Sequence, residues 1–331
     1  MSSIERGIDL GRAAASDGRP QQRYASAPVP ADGPPSRPPI GRRSSVGPVP
    51  EPGRGFDALA AGELGPDEAA GLRTLKERIL HHLGFQCNAY KERCLRRRIA
   101  VRMRARGVHE YEQYAELIDA DVDERQRLLD AVTINVSKFF RNADAWALLR
   151  AHVVPRLFGL DAPVINIWSA GSAAGEEPYS LAVLLLEHAA RSGQDVSRFR
   201  ILATDVDARA LELARAGEYP DFAFTETPAD VRRRWFVGPD TRRVRPELQR
   251  LVRFEPHDLL RDPFPTSQHL ILCRNVVIYF ERHVQETVFE GFHRALAPDG
   301  HLLLGKVEAL FGRVATRFRP VSTRERLFQK P

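Results

Sequence analysis

The sequence WSAGSAAGEEPYS, residues Trp168–Ser180, decides the fold of this chain. It continues a short apolar, β-rich run that begins at Val164, and small side chains fill all positions from Ser169 to Gly175. Small residues let a ligand lie directly against the backbone where a strand leads into a helix. Pro178 fits because proline is tolerated in the first turn of a helix. The stretch therefore predicts the ligand crevice of a doubly wound α/β sheet.

Strands and helices alternate on both sides of this turn. Such alternation predicts a parallel sheet flanked by helices. The predicted helices are near Ala143–Leu157 and at Pro178–Ala190, Ala208–Ala216 and Gln285–Leu296. The predicted strands are Val164–Trp168, Arg200–Thr204, Leu251–Phe254, His269–Cys273 and His301–Leu304, with a candidate final antiparallel strand within Phe318–Phe328.

The chain before this sheet contains two segments of different composition. Ten prolines lie between Pro20 and Pro52, which predicts a disordered proline-rich tail over residues 1–60. A plain tether is favoured over a ligand for a proline-reading domain. Apolar residues then recur at three- and four-residue spacing, which predicts a small all-helical domain at 66–141. The α/β domain is expected at 142–331, with a small β-hairpin insertion at about 232–254.

The composition excludes several classes of protein. Hydrophobic residues make up 43% of the 331, yet no apolar run approaches the ~20 residues of a membrane span. The three cysteines have no metal-ligand spacing, and we expect neither a metal site nor disulfides. With no signal peptide visible, we expect a cytoplasmic protein without membrane insertion. A net charge of +6 leaves an acidic partner open.

The turn itself limits the ligand. It has neither the G-x-G-x-x-G pattern of a dinucleotide site nor the Gly-Lys-Ser/Thr of a P-loop. Glu176 and Glu177 occupy the helix N-terminus, where they would repel a phosphate and favour an ammonium or a sulfonium group. S-adenosylmethionine has both of these cations and no phosphate. On these residues alone, the alternative that both carboxylates only complement the helix dipole remains equally open.

The next strand favours the cofactor. Ile201–Asp205 ends in an acid beside the same crevice, where a carboxylate can accept both ribose hydroxyls of an adenosine. Asp207 is expected to cap the following helix instead. The residues therefore predict S-adenosylmethionine on the turn at Gly171–Gly175.

Cys273–Phe280 follows another strand and is expected on the substrate side of the crevice. Enzymes that methylate bases and amides commonly carry an Asn/Asp-Pro-Pro-aromatic turn here. This loop has no proline, so amine and amide chemistry is less favoured.

Three motifs together resemble the chemotaxis receptor methyltransferases of the CheR type. They are TINVSKFFR at Thr133–Arg141, the Trp168–Ser180 stretch and CRNVVIYF at Cys273–Phe280. The resemblance covers roughly residues 67–331 in the same order. It implies a Rossmann-like methyltransferase sheet and methyl transfer from S-adenosylmethionine to glutamate side chains of chemoreceptors, giving glutamyl methyl esters.

The resemblance also implies roles for individual residues. Arg141 would pair with the carboxylate of the cofactor, Glu177 with its ammonium group and Asp205 with the ribose. The positions implied to bind the cofactor are Asn135, Ser137, Arg141, Ala170, Gly171, Glu177, Asp205, Asp258, Leu259, Arg274 and Asn275. The catalytic positions are Tyr279, Arg274 and Arg141, with Tyr279 and Arg274 expected to position the acceptor carboxylate.

This chain departs from the family pattern at several positions. Asp258-Leu259 replaces an Asn-Leu pair at the adenine, and an aspartate can accept from the adenine amino group but cannot donate to the ring. Gly305–Glu308 reads GKVE instead of the usual Gly-His-Ser-Glu, and Ser172–Ala174 and Ser137 also differ. These departures concern individual cofactor contacts rather than the fold.

A basic helix precedes the three motifs. Eight basic residues lie between Lys91 and Arg106 against one acid, and Arg98, Arg102 and Arg106 share one face. We expect this face to dock the cytoplasmic helical bundle of a chemoreceptor, while RNA and a merely solvated face remain alternatives. The hairpin turn is short and has one glycine, so binding of a receptor tail peptide is not favoured.

Two other functions stay open from the residues alone. An RNA-modifying methyltransferase would use the arginine-rich helix, although no nucleic acid is expected because the Pro-Pro-aromatic turn is missing. A non-catalytic, cofactor-binding signalling module would explain the departures at Asp258 and Lys306. We expect a monomer.

Overall fold

The structure, a computed structural model, describes residues 62–133 and 135–331. The predicted proline-rich tail lies outside these residues. Within the described part of the chain, no helix is both long enough and apolar enough to span a membrane.

Residues 62–133 form a helical region with its own core. Leu95, Ile99 and Met103 recur at every fourth position and are buried, because this spacing puts them on one face of a helix. Gly84 and Gly107 end two of the helices with φ of 66° and 69°, the left-handed conformation that glycine adopts easily. The helices are α1 (Pro66–Leu83), α2 (Glu92–Arg106), α3 (Tyr111–Ala120) and α4 (Val122–Thr133), with a 3-10 turn at Cys87–Ala89.

The α/β region follows from residue 135. Its strands are β1 (Ile165–Ala170), β2 (Phe199–Asp205), β3 (Phe236–Val237), β4 (Arg243–Val244), β5 (Val252–Pro256), β6 (Gln268–Cys273), β7 (Leu296–Leu304), β8 (Arg319–Ser322) and β9 (Leu327–Gln329). Its helices are α5 (Ala143–Leu148), α6 (Val154–Gly159), α7 (Glu176–Ser192), α8 (Ala208–Ala216), α9 (Ala229–Trp235), α10 (Pro246–Gln249), α11 (Arg282–Ala295) and α12 (Gly312–Ala315). A π-helical turn joins α5 to α6, and 3-10 turns lie at Asp221–Phe224 and Val277–Tyr279.

Seven strands form one sheet in the order β5-β2-β1-β6-β7-β9-β8. The first five run parallel, and β9 is antiparallel to both β7 and β8. Two strands thus come from the segment where one antiparallel strand was expected. The strand order reverses between β1 and β6, which is where ligands bind in an open α/β sheet.

Strand β1 shows why both faces of the sheet are covered. Ile165 and Ile167 enter one hydrophobic cluster, whereas Trp168 and Ala170 enter the cluster on the opposite face. All four side chains are fully buried because successive strand residues point to opposite faces, each of which is packed. The predicted fold class is confirmed: a mainly parallel sheet with flanking helices, a helical region before it and the short β3-β4 hairpin.

Candidate functional site

The turn from β1 to α7 lies at the reversal point of the sheet. Gly171 has φ of 74° and Gly175 has φ of 94°, which are left-handed conformations. A Cβ on Gly171 would lie 2.4 Å from a methyl carbon of Val276, so the turn touches the loop after β6 with no room for a side chain. The backbone N–H groups of Gly171 and Ser172 both donate to the carbonyl of Thr204 in β2. Two neighbouring strands therefore hold this turn in place.

A cavity beside the turn brings most of the predicted site residues together. Its lining includes eleven of them: Asn135, Ser137, Arg141, Gly171, Glu177, Asp205, Asp258, Leu259, Arg274, Asn275 and Tyr279. Ala170 is fully buried beneath the turn and is not part of the lining. Sequence analysis missed Tyr90 and Lys138, which also line the cavity. Within residues 62–133 and 135–331, no group of His, Cys, Asp or Glu is arranged to hold a metal ion.

The two glutamates of the turn have different surroundings. Glu177 lines the cavity, accepts a hydrogen bond from the Ser169 hydroxyl at 2.8 Å and lies 3.4 Å from a guanidinium nitrogen of Arg274. Burial raises the pKa of Glu177, and Arg274 and Ser169 oppose that shift. Glu176 is not part of the cavity lining; burial raises its pKa to about 7, and a hydrogen bond with Ser137 opposes that shift. Of the pair, Glu177 is the carboxylate available to a ligand.

Asp205 ends β2 with both oxygens held by backbone donors. One oxygen accepts from the N–H of Ala173 at 2.8 Å and the other from the N–H of Asp207 at 3.0 Å. Burial raises the pKa of Asp205, and the backbone hydrogen bonds oppose the shift. Each oxygen keeps a further acceptor position for a ligand in the cavity.

Asp207 caps helix α8, as the sequence predicts. Its carboxylate accepts from the backbone N–H groups of Arg209 and Ala210. It also accepts from the side-chain amide of Asn135 at 2.5 Å. The predicted cofactor residue Asn135 thus ties the segment after α4 to the end of β2.

Arg274 is more buried than its predicted role requires. Its side chain is only 3% exposed. One nitrogen donates to the carbonyl of Arg141 at 2.6 Å and to the side-chain oxygen of Asn142 at 3.1 Å. With Glu177 on its other side, Arg274 is positioned to orient that carboxylate rather than to reach outward to an acceptor. This geometry favours a role for Arg274 in holding Glu177 over the predicted direct contact with the acceptor carboxylate.

Glu308 organises the loop that faces the glycine turn, and sequence analysis did not identify it as a site residue. One oxygen accepts from the N–H groups of Gly305 (2.6 Å) and Asn275 (3.0 Å), and the other accepts from Val276 (2.9 Å). Asn275 has φ of 62°, which is uncommon for a residue with a side chain. Burial raises the pKa of Glu308, and these backbone donors oppose the shift. Its only signal in the sequence is its position at the end of Gly305–Glu308, the segment that departs from the family pattern at Lys306 and Val307.

Several polar atoms around the cavity are buried without a partner. They include the hydroxyl of Ser172, the side-chain oxygen of Asn275 and the Nε of Arg274. Buried polar groups are normally hydrogen-bonded, so each exception calls for an explanation, and a functional role is one of them. Ser172 and Asn275 line the cavity, so a polar ligand there would supply the missing partners.

Lys306 and Asp258, two of the departures from the family pattern, differ in their position relative to the cavity. Lys306 is outside the cavity lining, with its ammonium 3.6 Å from Asp144 and 3.7 Å from Glu325. Asp258 lines the cavity, and one of its oxygens accepts from the backbone N–H of Leu260. Of these two departures, only Asp258 bears on what the cavity binds.

The predicted docking face of helix α2 is largely occupied by contacts within the chain. Arg102 donates two hydrogen bonds to Glu124, whose side chain is fully buried, and Arg106 lies 3.1 Å from Asp121. Arg98 is partly buried. The basic residues of helix α2 that are exposed are Arg93, Arg97, Arg104 and, despite its contact with Asp121, Arg106. Helical spacing alone does not reveal that Glu124, a buried acid on α4, binds Arg102 on the predicted face of α2.

Comparison with known families gives two matches. Residues 135–327 match the family described as "CheR methyltransferase, SAM binding domain", and residues 70–133 match "CheR methyltransferase, all-alpha domain". Together these ranges account for the cavity and the helical region.

Individual relatives agree with these matches. The chain is 33% identical over 233 residues to a chemotaxis protein methyltransferase of Listeria innocua, covering 70% of this chain and 87% of that protein. It is 32% identical over 252 residues to a chemotaxis protein methyltransferase of Klebsiella aerogenes, covering 73% and 84%. A 104.1 kDa protein of Rhodobacter capsulatus is 34% identical over 285 residues, which cover 82% of this chain but only 29% of that protein.

Proposed function

Because the chain belongs to the CheR methyltransferase family and uses S-adenosylmethionine, we propose that it methylates glutamate side chains of chemoreceptors. The products would be glutamyl methyl esters and S-adenosylhomocysteine. The observation that carries the proposal is the cavity at the reversal point of the sheet. Residues from all three motifs, which lie at 133–141, 168–180 and 273–280 in the chain, line it together.

The cavity has groups that fit each part of the cofactor. Asp205 would accept from the ribose hydroxyls, and Asp258 with Leu259 would contact the adenine. Glu177 would bind the ammonium group and Arg141 the carboxylate. The unpartnered oxygens of Ser172 and Asn275 support a polar ligand at this position. Asn135 and Ser137 lie along the same wall.

Catalysis of this reaction requires little proton chemistry from the chain. When bound, S-adenosylmethionine supplies an electrophilic methyl group. A glutamate acceptor has an ordinary pKa near ~4.3 and is already ionised at neutral pH, so the chain needs no general base. The residues must align the carboxylate and exclude water, which is catalysis by proximity and orientation. Tyr279 lines the cavity, and its hydroxyl would donate a hydrogen bond to the acceptor carboxylate. Arg274 would hold Glu177 in place.

The partner is proposed to be the cytoplasmic helical bundle of a chemoreceptor, docked on helix α2. Arg93 and Arg97 are exposed cations that would attract an acidic helix. Arg98, Arg102 and Arg106, the residues first predicted, would contribute mainly through the structure of the helical region. That the enzyme acts as a cytoplasmic monomer remains a prediction.

The test is transfer of a radiolabelled methyl group from S-adenosylmethionine to purified receptor cytoplasmic fragments. Release of labelled methanol in mild base identifies an ester, because N-methyl groups and most nucleic-acid marks survive such treatment. Label in RNA would favour the nucleic-acid alternative. Cofactor binding without transfer to any receptor would favour a non-catalytic module.

Tyr279→Phe tests the role of the hydroxyl. Methyl transfer should fall while the affinity for S-adenosylhomocysteine is kept, because the proposed contact is with the acceptor. Tyr114→Phe is a matched control, since it removes a tyrosine hydroxyl that bonds Glu124 outside the cavity. Unchanged turnover in Tyr279→Phe would remove this assignment.

A further inference from the structure

Tyr90 is a cavity residue that comes from the helical region rather than from the sheet. It follows the 3-10 turn at Cys87–Ala89 and precedes helix α2. Its side chain lines the same cavity as Asp205 and Asp258. It also packs against the cores of both the helical and the α/β region. The helical region therefore supplies part of the cavity wall.

Two backbone hydrogen bonds fix this segment to the loop after β6. The N–H of Lys91 donates to the carbonyl of Tyr279 at 2.8 Å, and the N–H of Glu281 donates to the carbonyl of Ala89 at 2.8 Å. Tyr90 lies between these bonds and pairs with Phe280. Its backbone is thus held on the same loop that carries Tyr279.

Aromatic contacts hold the Tyr90 ring. Its centroid lies 4.5 Å from that of Phe85 in a stacked arrangement and 5.0 Å from that of Phe280 in an edge-to-face arrangement. These contacts involve only the ring and give the hydroxyl no hydrogen-bond partner. Within residues 62–133 and 135–331, no hydrogen bond to that hydroxyl is formed.

The surroundings keep the phenol protonated. Burial raises the pKa of Tyr90, and the negative charges of Asp258 and Asp205 raise it further. A neutral phenol can donate one hydrogen bond and accept another. It lies beside the acid that ends β2 and the acid that follows β5, which is the adenosine end of the proposed cofactor site.

We infer that the Tyr90 hydroxyl hydrogen-bonds the adenosine part of S-adenosylmethionine, making the helical region a component of the cofactor site. The inference rests on the proposed function, because that function defines the adenosine end. It also explains why Tyr90 is tied to the loop after β6. Misplacement of that segment would remove one wall of the cavity.

The experiment is isothermal titration of the full chain with S-adenosylhomocysteine, with thermal unfolding measured without ligand. Tyr90→Phe keeps both ring contacts and removes only the hydroxyl. We expect its Kd to rise about fivefold, the usual effect of one neutral hydrogen bond, with little change in unliganded Tm. Tyr90→Leu also loses the ring and should raise the Kd further. The matched control Tyr114→Phe should keep the wild-type Kd within about twofold, because its hydroxyl bonds Glu124 outside the cavity.

The outcomes distinguish failure of the proposed function from failure of the inference about Tyr90. Failure of the wild-type chain to bind S-adenosylhomocysteine would contradict the proposed function. Wild-type binding with a Tyr90→Phe Kd within about twofold of wild type would overturn the inference and leave the function standing. An equal loss of affinity in Tyr114→Phe would also overturn it, because the effect would then come from general destabilisation.

Discussion

Replacing Gly171 by alanine tests whether direct contact between two loops builds the site. Gly171 has φ of 74°, and a left-handed conformation costs an L-residue about 1–2 kcal/mol. The new Cβ would also lie 2.4 Å and 3.1 Å from the two methyl carbons of Val276. Carbon atoms normally approach to about 3.5–4.0 Å, so one of the loops must move. Such overpacking typically costs about 1–3 kcal/mol, which brings the expected loss of stability to about 2–5 kcal/mol.

Two further variants separate the backbone cost from the steric cost. Gly193 has φ of 67° and open space where a Cβ would stand, so Gly193→Ala should lose only the backbone part, about 1–2 kcal/mol. Val276→Ala removes both clashing methyl groups. In the Gly171→Ala background it should therefore restore about 1–3 kcal/mol, seen as a coupling energy in a double-mutant cycle.

The assay is equilibrium unfolding in urea, followed by titration of each folded variant with S-adenosylhomocysteine. Gly171→Ala should also weaken ligand binding, because the turn and the loop at Val276 both line the cavity. The reasoning would be refuted if Gly171→Ala cost no more than Gly193→Ala, or if Val276→Ala restored nothing.

Three other predictions follow from buried charges. Burial raises the pKa of Glu176 from 4.5 to about 7, so the folded chain retains a proton that the unfolded chain releases, and stability falls as pH rises through that window. Relative to wild type, Glu176→Gln should gain up to about 3 kcal/mol between pH 4.5 and 7, measured by urea unfolding across pH. Glu308→Gln should lose about 1–3 kcal/mol and bind S-adenosylhomocysteine more weakly, because its amide N–H₂ must face a backbone donor. Arg102→Ala should lose up to about 3–5 kcal/mol, because the buried Glu124 loses two hydrogen bonds and its nearest cation and keeps only the Tyr114 hydroxyl and Arg106 at 3.8 Å. The exposed Arg97→Ala should stay within about 0.5 kcal/mol in thermal or chemical unfolding.

Each of these predictions has a clear contrary result. Parallel pH profiles for wild type and Glu176→Gln would mean that this carboxyl does not retain its proton on folding. Wild-type affinity in Glu308→Gln would mean that its hydrogen bonds do not position the cavity loop. Equal stabilities of Arg102→Ala and Arg97→Ala would mean that the Glu124 ion pair is not a structural contact.

Much of the site could be predicted because its residues follow strands directly. Gly171 and Asp205 stand at the carboxyl ends of adjacent strands, and the alternation of strands and helices already brings such ends to one edge. The turn residues and Asp205 predicted the cofactor, and the family resemblance supplied the roles in the loop at Arg274–Tyr279. Those residues converge on one cavity, although their individual roles remain predictions.

The predicted docking face shows what helical spacing by itself leaves out. Arg98, Arg102 and Arg106 do share a helical side, but the fully buried Glu124 of helix α4 takes Arg102 and lies within 3.8 Å of Arg106. A pattern along one helix carries no information about which neighbouring helix covers it. Arg93 and Arg97 are exposed on a different side of the helix, and of the predicted face only Arg106 is exposed.

The sequence by itself determined the fold class, the family, the cofactor and the chain positions around the glycine turn. These follow from local patterns: small residues at one strand end, an acid at the end of the adjacent strand and motifs in a fixed order. Only the tertiary structure decided that Tyr90 joins the cavity, that Glu308 holds the loop at Asn275 and that Arg274 lies behind Glu177. Each of these depends on side chains and backbone groups that are far apart in the chain and meet only when the regions pack. The energies of these contacts depend on how deeply the polar groups are buried, and a short stretch of sequence does not show that burial.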